Sequence, residues 1–249
     1  MRDKKSSPFW IFGIHPIREA LRAGTGNAKE LIYAREDRRI QPLLALAAQH
    51  NIPIRREDRK IINVLAGNTH HQGIALKVEN YVYSSLESVI GGNPSYLDPL
   101  IILDSIQDPQ NLGAIIRSSC FFGARGIVIP KDRSAQVTAT VIKVASGGAT
   151  YLPVYQVVNL ARTIKQLKNA GLWVFGLDPN ADRAIYDVDL QVPLAIVVGN
   201  EQKGLRPLVR KSCDTLIAIP RAGNLQSLNA AMAATIALAE INRQRRNST

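Results

Sequence analysis

The second half of this 249-residue chain alternates short apolar runs with segments of helical pattern, and this alternation constrains the fold more than any other feature. Buried strands are predicted at Leu100–Leu103, Gly126–Ile129, Leu172–Leu177, Leu194–Val198 and Thr215–Ile219, with a weaker one at Leu152–Tyr155. Helices are predicted at Leu112–Phe122, Ala135–Ala145, Leu160–Asn169, Pro207–Lys211 and from Leu228 to about Ile241. Continuously apolar strands separated by helices are typical of a parallel sheet covered on both faces. The sequence therefore predicts an α/β fold.

Residues 1–78 are predicted to form a separate, small α/β domain. Its predicted helices are Pro16–Arg22 and Ile40–His50, and its predicted strands are Glu30–Tyr33, Ile52–Ile54 and Gly73–Val78. Residues 79–98 contain turn-forming residues and few apolar anchors, which indicates a linker with one helical turn around Leu86–Ile90. Residues 99–249 then form the second domain.

A polar loop follows the last predicted strand and leads into the final helix. Ser227 and Asn229 are predicted in the first turn of that helix, where free backbone N–H groups point outward. Open α/β sheets bind ligands at such strand-loop-helix junctions. An ordinary helix cap made by Ser227 explains the same residues, and this segment alone does not separate the two interpretations.

Two further segments place polar residues after a predicted strand. In Asp104–Arg117, Asn111 is positioned to cap the next helix, and Arg117 is either a structural ion-pair partner or a phosphate clamp. In Val197–Gly204, two glycines flank Glu201, and they either let a ligand approach the backbone or permit a turn with positive φ. Because the carboxyl ends of parallel strands lie at one edge of a sheet, all three segments are predicted to form a single site.

The chain is strongly basic, with a net charge of +11 and a pI near 9.9. Residues 1–80 carry 14 Lys and Arg against 8 Asp and Glu, a net charge of +6. This balance favours a polyanionic partner, and the lack of basic amphipathic helices favours nucleic acid over a membrane surface. A basic surface that only keeps the protein soluble has the same composition.

Several classes of site are disfavoured by missing patterns. Cys120 and Cys213 lie far apart without CxxC spacing, and His70 and His71 are adjacent, so no metal site is predicted. No GxGxxG follows the first strand of the second half, which argues against an ordinary dinucleotide site. The first residues lack a signal-peptide pattern and no apolar run is long enough to span a membrane, so we expect a cytoplasmic protein.

The segments Asp104–Arg117, Val198–Gly204 and Ile219–Asn229 resemble the three signature motifs of the SpoU branch of SPOUT RNA ribose 2′-O-methyltransferases, in the same order and approximate spacing. Phe12–Leu21 and His71–Ile74 are similar to the substrate-binding domain of this branch. The resemblance covers nearly the whole chain and is greatest to members that methylate a guanosine of 23S rRNA. Arg221 departs from the family pattern, which has Met after Ile-Pro.

The resemblance implies a parallel-sheet SPOUT domain with a C-terminal trefoil knot, preceded by a small L30e-like RNA-binding domain. It implies S-adenosylmethionine as cofactor, RNA as substrate and a homodimer. Carried over by position, the cofactor contacts fall at Gly199, Ile219 and Leu228. The catalytic and RNA-positioning residues fall at Asn111, Arg117, Glu201, Ser227 and Asn229.

In the mechanism that the resemblance implies, Arg117 holds the target phosphate and assists removal of the 2′-hydroxyl proton. Asn111, Ser227 and Asn229 orient the ribose, and Glu201 anchors Arg117 or the loops around it. Two alternatives remain open from sequence: the same reaction on tRNA, and a non-catalytic dimeric RNA-binding protein.

Overall fold

The computed structural model describes residues 8–22, 28–79, 81–91 and 98–246. The chain divides into two compact units. The first contains the described residues up to Val82 together with Val137–Tyr151, and the second contains Tyr83–Gln136 and the described residues from Leu152 onward. Residues 137–151, which the sequence pattern assigns to the second domain, thus pack with the first unit. The functional division at residues 78 and 98 stays a prediction, and residues 80 and 92–97 of its linker lie outside the described residues.

The first unit contains a four-stranded sheet. Its elements, numbered along the whole chain, are β1 (Phe9–Phe12), α1 (Ile14–Arg22), β2 (Ala28–Tyr33), α2 (Gln41–Gln49), β3 (Ile54–Arg56), α3 (Arg59–Ala66), β4 (Ile74–Val78), α6 (Ala139–Ala145) and α7 (Gly148–Tyr151). The strand order is β1-β4-β2-β3, with β4 antiparallel to both neighbours and β2 parallel to β3. Strand β1 and helix α3 were not predicted from the sequence. Helix α3 begins at Arg59 because the Asp58 side chain accepts a hydrogen bond from the Lys60 N–H.

The second unit contains a seven-stranded sheet in which all neighbouring strands are parallel. Its strands are β5 (Leu100–Asp104), β6 (Gly126–Pro130), β7 (Val154–Val157), β8 (Trp173–Leu177), β9 (Arg183–Ala184), β10 (Leu194–Gly199) and β11 (Thr215–Ala218). Its helices are α4 (Glu87–Ile90), α5 (Pro109–Phe121), α8 (Leu160–Asn169), α9 (Pro207–Ser212) and α10 (Ala230–Arg246), with a short 3-10 helix at Ile185–Asp187. The predicted parallel α/β sheet is therefore confirmed.

The core of the second unit forms where apolar strands meet amphipathic helices. Every residue of β5 and β6 is buried, as the continuous apolar runs require. On one side of the sheet, Leu100, Ile102 and Val197 belong to a buried cluster with Ile164 and Leu167 of α8. Helix α10 packs against α5 and against β10. These contacts fix the helices that follow the ends of the strands.

The strand order of this sheet is β7-β6-β5-β10-β8-β11-β9. Strand β10 follows β8 in the chain but lies between β5 and β8, with Gly199 paired with Asp104. The last residues of β5 and β10 are therefore direct neighbours. In the described part of the chain, no helix has the length and apolar character that crossing a membrane requires.

Candidate active site

Three loops leave the same edge of the seven-stranded sheet. Strand β5 ends at Asp104, β10 at Gly199 and β11 at Ala218, and each strand runs in the same direction. The three segments singled out from the sequence begin at these positions. The topology thus brings them to one edge, where parallel sheets bind ligands.

The loop after β10 is held in a tight conformation by its own backbone and by β5. Asn200 and Gly204 exchange two backbone hydrogen bonds, of 3.1 and 2.8 Å, and the Asn200 side-chain amide donates to the Ser105 carbonyl at 3.1 Å. The buried Asp104 carboxylate accepts hydrogen bonds from the Arg206 backbone N–H at 2.8 Å and from Arg206 Nε at 2.6 Å. The loop is therefore fixed at both ends before any ligand binds.

The two glycines of this loop have different structural reasons. A Cβ atom at Gly199 would lie 2.4 Å from the carbonyl carbon of Gly204 and 2.6 Å from the Leu205 nitrogen, so the returning backbone leaves no room for it. Gly204 has a φ of +63°, in the left-handed region that glycine favours. Both positions are thus explained by the geometry of the loop.

A chain of hydrogen bonds joins the three segments. The Asn111 side chain donates from Nδ2 to Glu201 Oε1, and its Oδ1 accepts from Asn229 Nδ2 at 2.8 Å. Asn229 Oδ1 in turn accepts from the backbone N–H groups of Ala231 at 2.8 Å and Met232 at 3.4 Å. Because backbone N–H groups can only donate and the Glu201 carboxylate accepts, the orientation of both amides is set.

The structure corrects two predicted helix caps. Helix α5 begins at Pro109 and is capped by Asp108, which accepts from the Gln110 N–H at 2.8 Å, so Asn111 lies inside its first turn and is not the cap. Helix α10 begins at Ala230 and is capped by Asn229, whereas Ser227 lies in the exposed loop before it. A capping side chain must reach backbone N–H groups two or three positions further along the chain. Asp108 and Asn229 do so because each directly precedes the first residue of its helix.

Arg117 and Asn111 occupy different faces of α5. Asn111 is buried and Arg117 is exposed. Six residues at 3.6 residues per turn place their directions about 120° apart around the helix axis. The structure therefore brings Asn111, Glu201 and Asn229 together through direct contacts, while Arg117 faces outward from the same helix.

An open cavity of about 890 Å³ lies against the loops after β8, β10 and β11. The three predicted cofactor-binding residues, Gly199, Ile219 and Leu228, line it, as do Glu201 and Ser227. Apolar side chains and backbone of the β10 and β11 loops form much of its wall, including Val198 and Leu205. The cavity is thus a concave, mixed apolar and polar surface of the size that small-molecule cofactors occupy.

Two acidic residues of this region were missed in reading the sequence. Asp104 anchors the loop after β10, and Asp178 follows β8 and lines the cavity. Burial raises the pKa of the Asp178 carboxyl, but hydrogen bonds from Arg210 Nε, at 2.9 Å, and from the Asn180 N–H outweigh it and hold the pKa below its usual value. Both acids directly end or follow a buried strand, and that position was the signal that could have identified them.

Within the described ranges, no three His, Cys, Asp or Glu side chains are grouped closely enough to hold a metal ion.

Two family descriptions match the chain. The SpoU rRNA Methylase family matches residues 98–239, and the family described as RNA 2′-O ribose methyltransferase substrate binding matches residues 10–84. Together these matches cover both the parallel-sheet unit and most of the first unit.

Among curated proteins, the chain is 41% identical over 242 residues to the 23S rRNA (guanosine-2′-O-)-methyltransferase RlmB of Shewanella oneidensis, covering 95% of this chain and 98% of that protein. It is 43% identical to an uncharacterized tRNA/rRNA methyltransferase of Mycobacterium avium, covering 95% of this chain and 77% of that protein. Among solved structures, the SpoU methyltransferase AviRb of Streptomyces viridochromogenes superposes with a TM-score of 0.83 at 25% identity, covering 97% of this chain and 91% of that chain. AviRb has also been solved in complex with the cofactor AdoMet, and that structure is 26% identical with a TM-score of 0.81.

Proposed function

The chain belongs to the SpoU rRNA methylase family, and from this premise we propose that it transfers a methyl group from S-adenosylmethionine to the ribose 2′-hydroxyl of a guanosine in 23S rRNA. The observation that carries the proposal is the hydrogen-bonded convergence of three strand-end segments beside a cofactor-sized cavity. The assignment of the substrate rests on the relative from Shewanella oneidensis, which this chain matches along almost its full length. An rRNA substrate also supports the expected cytoplasmic location.

The cavity suits S-adenosylmethionine in both size and charge. Its volume falls within the range of small-molecule sites, about 300–1,000 Å³. Ile219 and Leu228 offer apolar surface for the adenine ring, and Gly199 also lines the cavity. Its charged lining residues are of both signs, Asp178 and Glu201 with Lys203, Arg210 and Arg221. S-adenosylmethionine also carries both signs, a carboxylate together with an amino group and a sulfonium. When bound, S-adenosylmethionine supplies an electrophilic methyl group on a positively charged sulfonium.

The chain's own residues must align the 2′-hydroxyl and accept its proton. We propose that Asn111 and Asn229, held in one orientation by Glu201 and the start of α10, position the ribose together with Ser227. Arg117 faces outward from α5, where it can hold the target phosphate and assist removal of the proton. Arginine is positively charged near neutral pH, so only its neutral form accepts a proton, and the Arg117→Ala variant described below tests this role.

A homodimer and a C-terminal knot belong to the same proposal. Phe121 of α5 and Met232 of α10 are large apolar side chains that are 82% and 60% exposed, and Leu225 in the preceding loop is 82% exposed. Apolar surface of this kind on two helices packed against each other is what a partner subunit would cover. Strand β10 lies between β5 and β8 although it follows both in the chain, and this strand order is compatible with a knotted crossing.

The experiment is a methyl-transfer assay with methyl-labelled S-adenosylmethionine and, in parallel, 23S rRNA and tRNA transcripts. Label at a single guanosine 2′-oxygen of the 23S rRNA is expected. Label in tRNA alone would move the substrate to tRNA, the second candidate that the name of the mycobacterial relative supports. No label, together with no heat of S-adenosylmethionine binding in calorimetry, would leave a non-catalytic RNA-binding protein.

In the same assay we expect Arg117→Ala to lower kcat about 100-fold or more, the usual effect of losing a group that moves a proton. The thermal midpoint should stay unchanged because the side chain is exposed. Arg162→Ala, which removes an exposed arginine from α8 of the same unit, is the matched control. Near-wild-type turnover of the folded Arg117→Ala protein would remove Arg117 from the mechanism.

A further inference from the structure

A second cavity, of about 560 Å³, lies entirely within the first unit. It is lined by Ala34, Thr69 and six further residues, which are Arg35, Arg39, Arg59, His70, Gln72 and Gly73. None of these eight residues is acidic, in contrast to the cavity beside the strand ends, which contains Asp178 and Glu201. We call it the arginine cavity.

The arginine cavity carries an excess of positive charge. Arg35 and Arg39 share a single carboxylate, Asp37, each at 3.4 Å. Arg59 forms no ion pair with any carboxylate of the described residues. By contrast, Arg55 on the neighbouring strand β3 pairs with two carboxylates, Glu30 and Glu57. Three guanidinium groups line the cavity, and a single carboxylate pairs with two of them, so the surface is suited to an anion.

A buried histidine, His71, holds the turn that carries three lining residues of the arginine cavity, His70, Gln72 and Gly73. His71 is 1% exposed, its Nδ1 accepts the Gly73 N–H at 3.1 Å, and its Nε2 lies 2.5 Å from Asn63 Oδ1. Since Nδ1 accepts, Nε2 carries the proton and donates it to Asn63. Burial, with a smaller contribution from the Arg59 charge, lowers the pKa of His71, so the ring is neutral.

Two further hydrogen bonds join this turn to the rest of the first unit. Gln72 Oε1 accepts the Ile14 N–H at 2.7 Å, and the Gly73 carbonyl accepts the Ala34 N–H at 2.8 Å. Gln72 and Gly73 both have positive φ, of 58° and 76°, so the turn cannot relax into a more extended form without breaking these bonds. The turn that lines the cavity is therefore fixed before an anion binds, so binding does not have to order it.

We propose that the arginine cavity binds a backbone phosphate of the substrate RNA, a second phosphate besides the one assigned to Arg117. The proposal rests on the proposed function for the identity of the RNA. Guanidinium groups match phosphate oxygens with paired N–H donors, and such contacts fix the register of a nucleic acid on a protein. Because the phosphate is the negatively charged part of a nucleotide, the excess positive charge of the cavity favours a phosphate over an uncharged base.

The experiment compares Arg59→Gln with Lys60→Gln. The two residues are adjacent on α3 and both exposed, and either change removes one positive charge, but only Arg59 lines the cavity. Binding of a 23S rRNA transcript is measured over a series of salt concentrations, and kcat at saturating RNA and S-adenosylmethionine affinity are measured alongside.

For Arg59→Gln we expect about a tenfold loss of RNA affinity and a decrease of about 1 in the slope of log affinity against log salt, with kcat and cofactor affinity unchanged. For Lys60→Gln we expect a much smaller loss. Equal effects of the two variants would overturn the proposal, because a general charge effect would then explain both. Binding of inorganic phosphate alone, lost in Arg59→Gln while RNA affinity is kept, would also overturn it and assign the cavity to a free anion.

This design separates the two proposals. If the wild-type protein binds the transcript but methylates no rRNA, the proposed function fails while the comparison of Arg59→Gln with Lys60→Gln still decides the arginine cavity. A thermal melt of each variant checks that the fold of the first unit is kept.

Discussion

At the scale of single residues, Gly199 is a position where the surrounding backbone leaves no room for a side chain. A Cβ there would meet backbone atoms of Gly204 and Leu205, which cannot swing aside as a side-chain end can. We expect Gly199→Ala to displace the loop after β10, to lower stability by about 1–3 kcal/mol and to weaken S-adenosylmethionine binding measured by calorimetry.

Gly223 provides the matched control for that prediction. It lines the same cavity, a Cβ at Gly223 would meet no atom within 4 Å, and its φ is not in the left-handed region. Gly223→Ala should therefore leave folding intact. Unchanged cofactor affinity in Gly199→Ala would show that the loop tolerates displacement or lies outside the cofactor site.

Residue types at the site were predictable from the sequence, but their contacts were not. Asn111, Glu201 and Asn229 stood out as polar residues after apolar strands, yet nothing in their spacing indicated that they bond to one another. Their order along the hydrogen-bonded chain depends on side-chain geometry across segments that lie 90 and 118 residues apart. The positioning role of Asp104 was hidden for the same reason, since its partner Arg206 is 102 residues away.

At the scale of elements, the start of α10 combines a helix cap with a site residue. Asn229 uses its oxygen to cap the helix and its nitrogen to hold Asn111. Asn229→Asp keeps the capping oxygen, and a negative charge at a helix N-terminus is favourable, so we expect near-wild-type stability. It removes the donor to Asn111, so methyl transfer should fall.

Asn229→Ala is the comparison for this prediction. It should lose both methyl transfer and about 1 kcal/mol of stability, because the cap is lost as well. Thermal unfolding and the methyl-transfer rate are measured on both variants. Full activity in Asn229→Asp would mean that the bond to Asn111 has no part in positioning.

Most elements of the second unit were predicted from hydrophobic periodicity, and their ends were shifted by tertiary contacts. The final helix was predicted from Leu228, but Leu225–Leu228 lies along the cavity and the cap at Asn229 sets the start. Strand β1 and helix α3 were missed, and in each of them a single side chain, that of Ile11 and of Ile62, is buried. Strand order could not be predicted at all, since alternation of strands and helices fixes direction but not neighbours.

At the scale of the whole molecule, the four histidines are distributed unevenly. His15, His50, His70 and His71 all lie in the first unit, and the second unit has none. Between about pH 5 and 8, histidine is the side chain that titrates at its ordinary pKa. Protonation of histidine in mild acid therefore affects the first unit.

His71 decides the direction of that effect. Its pKa is lowered in the folded protein, so the unfolded chain binds more protons as the pH falls through its ordinary value of 6.5. The stability that neutral His71 provides is present above that pH and is lost below it. We expect the thermal midpoint of the first unit to fall as the pH is lowered, and His71→Gln to flatten this dependence while His70→Gln, an exposed neighbour, keeps it. The same pH dependence in all three proteins would contradict this assignment.

The position of β10 also determines when the seven-stranded sheet can be completed during translation. A ribosome makes β5 and β8 before it makes β10, the strand that lies between them, so each presents an unpaired edge until β10 is added. Such edges associate with other chains, which makes this interval the vulnerable one for a newly made molecule. The bond between Asn111 and Asn229 forms later still, because Asn229 follows β10 and β11 in the chain, so the proposed activity arises only after every strand of the seven-stranded sheet has been made.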